Sequence, residues 1–334
     1  MIYNYENKAD IFSDMYQTLK QLDFIYENKE HLLLPYFKYI EQNWNRLLEK
    51  DCSLIHITNL SQYPDKLATC CSWRSSTNNW CIQHGIANQM RLFLFVINSE
   101  CNWLKTQISA KYIQCWFQTH RSIINKICDL VKVEVNMGSY HVEILDYLSW
   151  IPKEKDIDNK WHVRPYTLND KESLKNFIVQ QKGVLFYESE EFETDPFFNM
   201  IDHHYQKIDL NRSRDIYMIY KENLLKAVVL KYKGPLGINF SFLENRIEII
   251  VDTNSKIEDD LVYSIGNIIH GMRLDLYFSP IVINHNFSIF FECNGAQILR
   301  QYSRYILTKS ALQTWLLSMK KKYSLCDLNN ERYE

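Results

Sequence analysis

The sequence predicts an α/β protein made of two similar halves, each a mostly antiparallel mixed sheet flanked by helices, and three observations carry that prediction. The chain has 334 residues, 46% of them apolar and 14% aromatic, enough for two domains of about 150 residues with a real core each. Residues 215–307 alternate between period-2 and helical apolar patterns in the order strand, strand, strand, helix, strand, helix, strand. Displacing the chain by 165 residues brings Tyr112 onto Tyr277, His120 onto His285, Ile124 onto Ile289 and Cys128 onto Cys293, while Ile82, Ile86 and Leu92 meet Ile247, Val251 and Ile257. The agreement of identities with element order implies a duplicated unit.

In the first half, apolar side chains at helical spacing predict helices over 11–26 and 31–49, the second through Leu33, Tyr36, Phe37, Ile40, Trp44 and Leu47. Strand-like runs follow at 53–58, 67–73 and 80–86, then a helix over 89–103, a strand over 111–117 and a helix over 121–130. A strand pair at 131–135 and 140–148 closes the half. The polar stretch 152–160 reads as a linker. The expected divisions are residues 1–151, linker 152–160, residues 161–309, and a C-terminal helix and tail over 310–334.

The second half opens with a short strand from Trp161, a polar turn and an N-cap before a helix containing Leu174 and Phe177. A helix is expected around 196–204. Strands 215–220 and 224–232 are separated by Lys221-Glu222-Asn223, which suits a hairpin. A third strand over 239–251 follows the Gly234-Pro235-Leu236-Gly237 turn. The polar segment 252–260 leads into a helix over 261–271, a strand over 276–283, a short helix over 287–294 and a last strand over 296–307. Residues 310–322 form an amphipathic helix with a basic end, and 327–334 a frayed tail.

With 38 basic and 40 acidic side chains, no general field for a polyanion exists, so nucleic acid is not an expected partner. The aromatic side chains of the first half (Trp73, Trp80, Trp103, Trp116) lack interleaved cations and read as core. The start lacks a basic region followed by an apolar core, and the longest apolar run, near 92–97, is too short for a bilayer. A soluble protein of the cytoplasm or plastid stroma is expected, with no membrane partner. The nine cysteines are scattered singly, which fits reduced buried thiols. Cys70, Cys71, Cys81 and His84 are the one local cluster with metal-ligand chemistry, but adjacent cysteines on a strand point to opposite faces, so core thiols are expected. His203-His204 reads as a surface pair, and Arg121, Arg300 and Arg304 as solvated arginines.

The second half resembles the GNAT (GCN5-related N-acetyltransferase) superfamily. The resemblance rests on the Val163-Arg164-Pro165 opening followed by Asn169-Asp170 and a helix, the strand meander, the strand-to-helix junction and the Phe290-Phe291-Glu292-Cys293-Asn294-Gly295 helix end. It covers 161–308, and 11–148 more faintly. It implies two GNAT-like domains in tandem and an acyl-CoA site at the junction after the fourth strand, where a glycine-rich loop and the next helix N-terminus hold a pyrophosphate. By position alone that assigns Ile249, Val251, Lys256 and Ile257 to the cofactor, and Glu248 as the strand-borne candidate base.

Residues 251–261 depart from this pattern. They contain no glycine, and Glu258, Asp259 and Asp260 occupy the first helical turn, where three carboxylates oppose a diphosphate. The family's proton-donating tyrosine falls on Phe291, which has no proton to give. Glu248 has a plainer reading, a carboxylate paired with Lys226 or Lys231 on the next strand. The matching first-half junction, 86–92, also lacks glycine but carries Arg91. The leading expectation is therefore a pseudoenzyme: a GNAT-fold protein with a degenerate acyl-CoA site and no bound cofactor, acting as a binding, scaffold or regulatory module toward a protein partner. The alternative is an active acetyl-CoA-dependent N-acyltransferase with a modified cofactor loop. A third class, transfer from aminoacyl-tRNA, needs a basic face that this charge balance does not provide.

Overall fold

The computed structural model describes residues 9–50, 53–62, 65–120, 122–254, 257–272 and 280–323. Arg121, Lys256, Tyr277, Cys52, the start of the strand expected from 276 and the tail from 327 lie outside them. The fold is mixed α/β, with one continuous sheet of 11 strands in the order β1-β2-β3-β4-β11-β5-β10-β9-β8-β7-β6.

The first half runs α1 (Ala9–Gln21), α2 (Glu27–Leu33), α3 (Phe37–Lys50), β1 (Ile55–Gln62), β2 (Lys66–Arg74), β3 (Asn79–Ala87), α4 (Met90–Thr106), β4 (Tyr112–Gln118), α5 (Ser122–Glu134) and β5 (Tyr140–Ser149). The second runs β6 (Trp161–Pro165), α6 (Lys171–Lys182), α7 (Val184–Ser189), α8 (Asn199–Gln206), β7 (Ser213–Lys221), β8 (Leu224–Lys233), β9 (Ile247–Val251), α9 (Asp259–Gly271), β10 (Pro280–Asn284), α10 (Ser288–Glu292), β11 (Gln297–Thr308) and α11 (Lys309–Lys322). The first half thus has three antiparallel strands, a helix, a strand parallel to the third, a helix and a last strand; the second repeats this order with one further strand, β6, at its start.

Two expected strands are corrected. Residues 131–134 continue helix α5. Of the run 239–251 only Ile247–Val251 is strand, because Phe242 takes a left-handed φ of +56° and starts a 3-10 turn at Leu243–Asn245.

The larger surprise is where the last strands go. β11 was expected to complete the second half's own sheet; instead it lies between β4 and β5, antiparallel to both. β5 in turn pairs with β10 of the second half. The order of strands is therefore pseudo-twofold about the β5–β11 pair, with each half's last strand lying beside the other half's next-to-last.

One face carries a core shared by the halves, in which Phe12, Trp44 and Ile55 join Phe186, Tyr205, Met218 and Phe240. On α3, Ile40, Trp44, Leu47 and Leu48 recur at helical spacing and are all buried there. On the opposite face α4, α5 and α11 cover the first half, and α9 and α10 the second. Cys70 enters the core under α4 and Cys71 the shared core, on opposite faces of β2 as strand geometry requires.

Candidate functional site

The second-half junction is closed by its own side chains. Ile249, Val251 and Ile257 are buried in one cluster with Leu261, Ile283 and Phe291. Phe291 is fully buried, edge-on to the Trp150 ring at 5.3 Å. Glu258 stands at the N-cap position of α9 without a side-chain cap bond, and Asp259 and Asp260 follow in its first turn. The Glu258 carboxylate accepts from the Lys221 ammonium at 2.5 and 2.7 Å, so the positive end of the helix already has its counter-charges.

Glu248 is fully buried, and its partners are not the lysines expected from the sequence. In the β8–β9 register Leu230 stands opposite Glu248, which leaves Lys226 opposite Asp252, its ion-pair partner at 3.2 Å. Glu248 instead accepts from Arg246 at 3.1 Å and from Arg304 at 2.9 and 2.5 Å, with the Lys182 ammonium 3.8 Å away. Arg304 and Lys182 also bond Glu143 of β5. Burial alone raises the pKa of Glu248, and Arg304, Arg246 and Lys182 more than reverse that, to about 2. A carboxylate so held takes no proton near neutrality. It joins β5, β9, β11 and α6 electrostatically at the centre of the sheet.

The first half is open at the equivalent place. β3 and β4 pair in parallel from Asn79–Tyr112 to Ile82–Cys115 and then part. A bulge accompanies the parting: Thr69 faces Ile86 and Cys71 faces Gln83, so His84 and Gly85 stand against Cys70 alone. His84 has a left-handed φ of +56°. Its Nε2 accepts from the Phe240 backbone N–H at 3.3 Å, which leaves Nδ1 protonated toward Cys71 Sγ, also at 3.3 Å. Burial, helped by Lys29, holds the His84 pKa well below its usual value, so the ring is neutral and structural.

Where the strands part, a cleft of about 590 Å3 passes through the sheet. On one side it is walled by Phe93 and Ile97 of α4, Ile124 and Cys128 of α5 and Trp315 of α11; on the other by Phe24, Tyr26, Lys29, Ser241 and Tyr302. No carboxylate lines it among the described residues. The N-terminus of α4 sits at its rim, with no side-chain cap and no acidic residue in its first turn. The Asn88 and Gln89 side chains are held away from those amides by bonds to the Asp65 carbonyl at 3.1 and 2.8 Å. That helix N-terminus therefore faces the rim with no carboxylate in its first turn to oppose an anion.

Of the residues singled out in the sequence, the structure brings Ile249, Val251 and Ile257 together in packed core, puts Glu248 apart from them in the buried charge network, and places His84 and the junction at 86–92 on the open cleft. Sequence reasoning gave no weight to Tyr26, Lys29, Ser241 or Tyr302. The only available signal was the Gly85 that follows His84, since a β-carbon there would lie 3.2 Å from Ile97 of α4.

Neither the family profiles nor the curated proteins match this sequence. Solved structures do. A tandem GNAT protein from the clavulanic acid biosynthesis pathway superimposes over 91% of this chain and 97% of its own at 5% identity, with a TM-score of 0.41. A Drosophila protein covers 89% and 96% at 10% identity and a TM-score of 0.48. A GCN5-related N-acetyltransferase-like protein from Streptococcus suis covers 88% and 98% at 14% identity and a TM-score of 0.40. The chain resembles tandem GNAT proteins. At these identities and scores the likeness concerns the course of the chain and nothing about activity, so the chemistry of this tandem GNAT-like protein has to be argued from its own residues.

Proposed function

We propose that this protein is a GNAT-fold binding module with one working pocket, the first-half cleft, which takes an acyl thioester such as acetyl-CoA, while the degenerate second half serves as its structural partner. The observation that carries the reading is the contrast between the two strand-to-helix junctions. The first has an open, largely apolar cleft of a size typical for small ligands, beside an uncapped helix N-terminus. The second has packed side chains and three carboxylates at the same place. The residues present fit acyl-CoA in the first half: α4 amides and nearby Arg91 for phosphate, and the Phe93, Ile97 and Trp116 side chains for the pantetheine and acyl arm. They do not fit it in the second. The described cleft lining supplies no carboxylate base, and its one buried imidazole is neutral and bonded on both nitrogens, which supports binding over catalysis.

Isothermal titration of the full chain with acetyl-CoA tests this. Saturable binding, competed by CoA, is expected, and Ile97→Trp, which fills the cleft, is expected to weaken it at least roughly tenfold, about 1.4 kcal/mol. Replacing Glu258, Asp259 and Asp260 by alanine is expected to leave affinity unchanged. Absence of binding, or binding lost on changes at 257–261 and kept in Ile97→Trp, would sink the reading.

A further inference from the structure

The mouth of the cleft on the α2 side has a composition that an acyl thioester does not account for. Tyr302 of β11 is buried, and its O–H finds no acceptor among the described residues, the neighbouring Arg300 guanidinium being a donor only. A buried hydroxyl left unpaired costs on the order of 1–3 kcal/mol, so this one is a vacant donor awaiting an acceptor. The Arg300 guanidinium lies beside it. Arg300 is only half-buried and donates to the Tyr26 hydroxyl, and no carboxylate pairs with it among the described residues. Glu30 of α2 is engaged by Lys20 at 2.6 Å. Lys29 is the cation in the lining itself, its ammonium 4.0 Å from the Phe24 ring centre, while Arg300 stands behind the lining residue Tyr26. Ser241 completes the rim with a hydroxyl, its backbone carbonyl held by the Tyr147 hydroxyl at 3.0 Å.

We infer that this mouth is a carboxylate-binding subsite for a small organic acid, held by Arg300 and the Tyr302 hydroxyl. A guanidinium gives a carboxylate a two-pronged, charge-assisted contact, and the neighbouring hydroxyl donates a third bond. The cleft is lined from both faces of the sheet, so a carboxylate at the α2 end leaves the α4 end for the thioester arm. Both cation and hydroxyl come from β11, the strand the second half inserts beside the first-half cleft, which gives the strand exchange a functional consequence. The subsite does not depend on the thioester reading, since Arg300 and Tyr302 argue for a carboxylate alone.

The test is titration of the full chain, without acetyl-CoA, with glycine and L-phenylalanine and with their amides, glycinamide and L-phenylalaninamide. At least one acid is expected to bind roughly tenfold or more tightly than its amide, since a charge-assisted contact of this kind is worth about 1.5–3 kcal/mol. Arg300→Gln is expected to abolish that preference, Arg300→Lys to keep part of it, and Tyr302→Phe to reduce it severalfold. Circular dichroism and an unchanged acetyl-CoA isotherm for Arg300→Gln separate loss of the subsite from loss of the fold. Acid and amide binding equally, no acid binding at all, or a preference that survives Arg300→Gln would overturn the subsite. Acid selectivity in a chain that fails to bind acetyl-CoA would leave the subsite standing and remove the thioester reading.

Discussion

Glu244 is the residue in which the tension between packing and charge is most measurable. It is fully buried in the 3-10 turn Leu243–Asn245, where one carboxyl oxygen accepts from the Gly237 N–H at 3.0 Å and the other has no partner among the described residues. Burial raises its pKa from 4.5 to about 8, against the pull of its backbone hydrogen bonds and of Arg212. A folded-state value above the unfolded one means that the folded chain holds a proton the unfolded chain releases. The contribution is therefore fully present below about 4.5 and lost progressively as pH rises to about 8. Glu248 has the opposite sign: its contribution is present above about 4.5 and lost as pH falls toward about 2. Glu244→Gln keeps the acceptor and removes the titration. In urea unfolding the variant is expected to match the natural protein near pH ~4.5 and exceed it near pH ~8, the slope between them approaching ~1.4 kcal/mol per pH unit. Parallel stability curves for the two proteins would show that Glu244 is charged in the folded state.

At the scale of elements, the decisive contact is α3 of the first half on the 234–245 turn of the second. Trp44 Nε1 donates to the Gly237 carbonyl at 2.9 Å and Asn43 to the Leu236 carbonyl at 3.0 Å. From the strand side, Gln83 donates to the Ile238 carbonyl at 2.7 Å and accepts from Asn239 at 2.8 Å. Gly237 has a φ of +79°, and a β-carbon there would sit 2.4 Å from Ile40 Cγ1. Gly237→Ala is expected to cost about 2–4 kcal/mol in urea unfolding, from the left-handed backbone and the overlap together. Adding Ile40→Ala is expected to cost less than the sum of the two single changes, because the second removes the obstacle to the first; strict additivity would disprove the clash. This contact also explains what the sequence hides. Most elements were legible because their apolar positions repeat at 3.6 or 2. The run 131–135 misled because Val131, Val133 and Val135 alternate like a strand, although helix α5 continues to Glu134 and Val133 is 78% exposed. The alternation at 239–242 is likewise real, but it serves a turn clamped by α3 and β3. The cleft had no local signature, since Phe24, Cys115, Ser241 and Tyr302 meet only in the folded chain.

For the whole molecule, the question is whether two similar halves are two folding units. The duplication was visible in the sequence; the exchange of last strands was not, because β5 and β11 carry equivalent patterns and either pairing satisfies them. Glu143 on β5 and Glu248 on β9 are bridged by Arg304 of β11, so the exchange buries charge as well as backbone. Separating the halves would unpair β11 from β4 and β5 and strip Glu143 of both Arg304 and Lys182, a loss of about 3–5 kcal/mol, while Glu248 would keep its partners within the second half. Residues 153–160 are mostly exposed and contain no helix or strand, and they remain the place where a protease should cut first. The nicked protein is expected to elute as one species of unchanged size under native conditions and to divide into two only in denaturant. Residues 1–151 expressed alone are expected to show weak strand signal and no cooperative unfolding, because β4 then lacks the β11 partner along its full length from Tyr112 to Gln118. Adding residues 161–334 in trans should restore both. If instead the fragment of residues 1–151 unfolds cooperatively by itself, or the nicked halves part without denaturant, the shared sheet contributes little and each half owns its core.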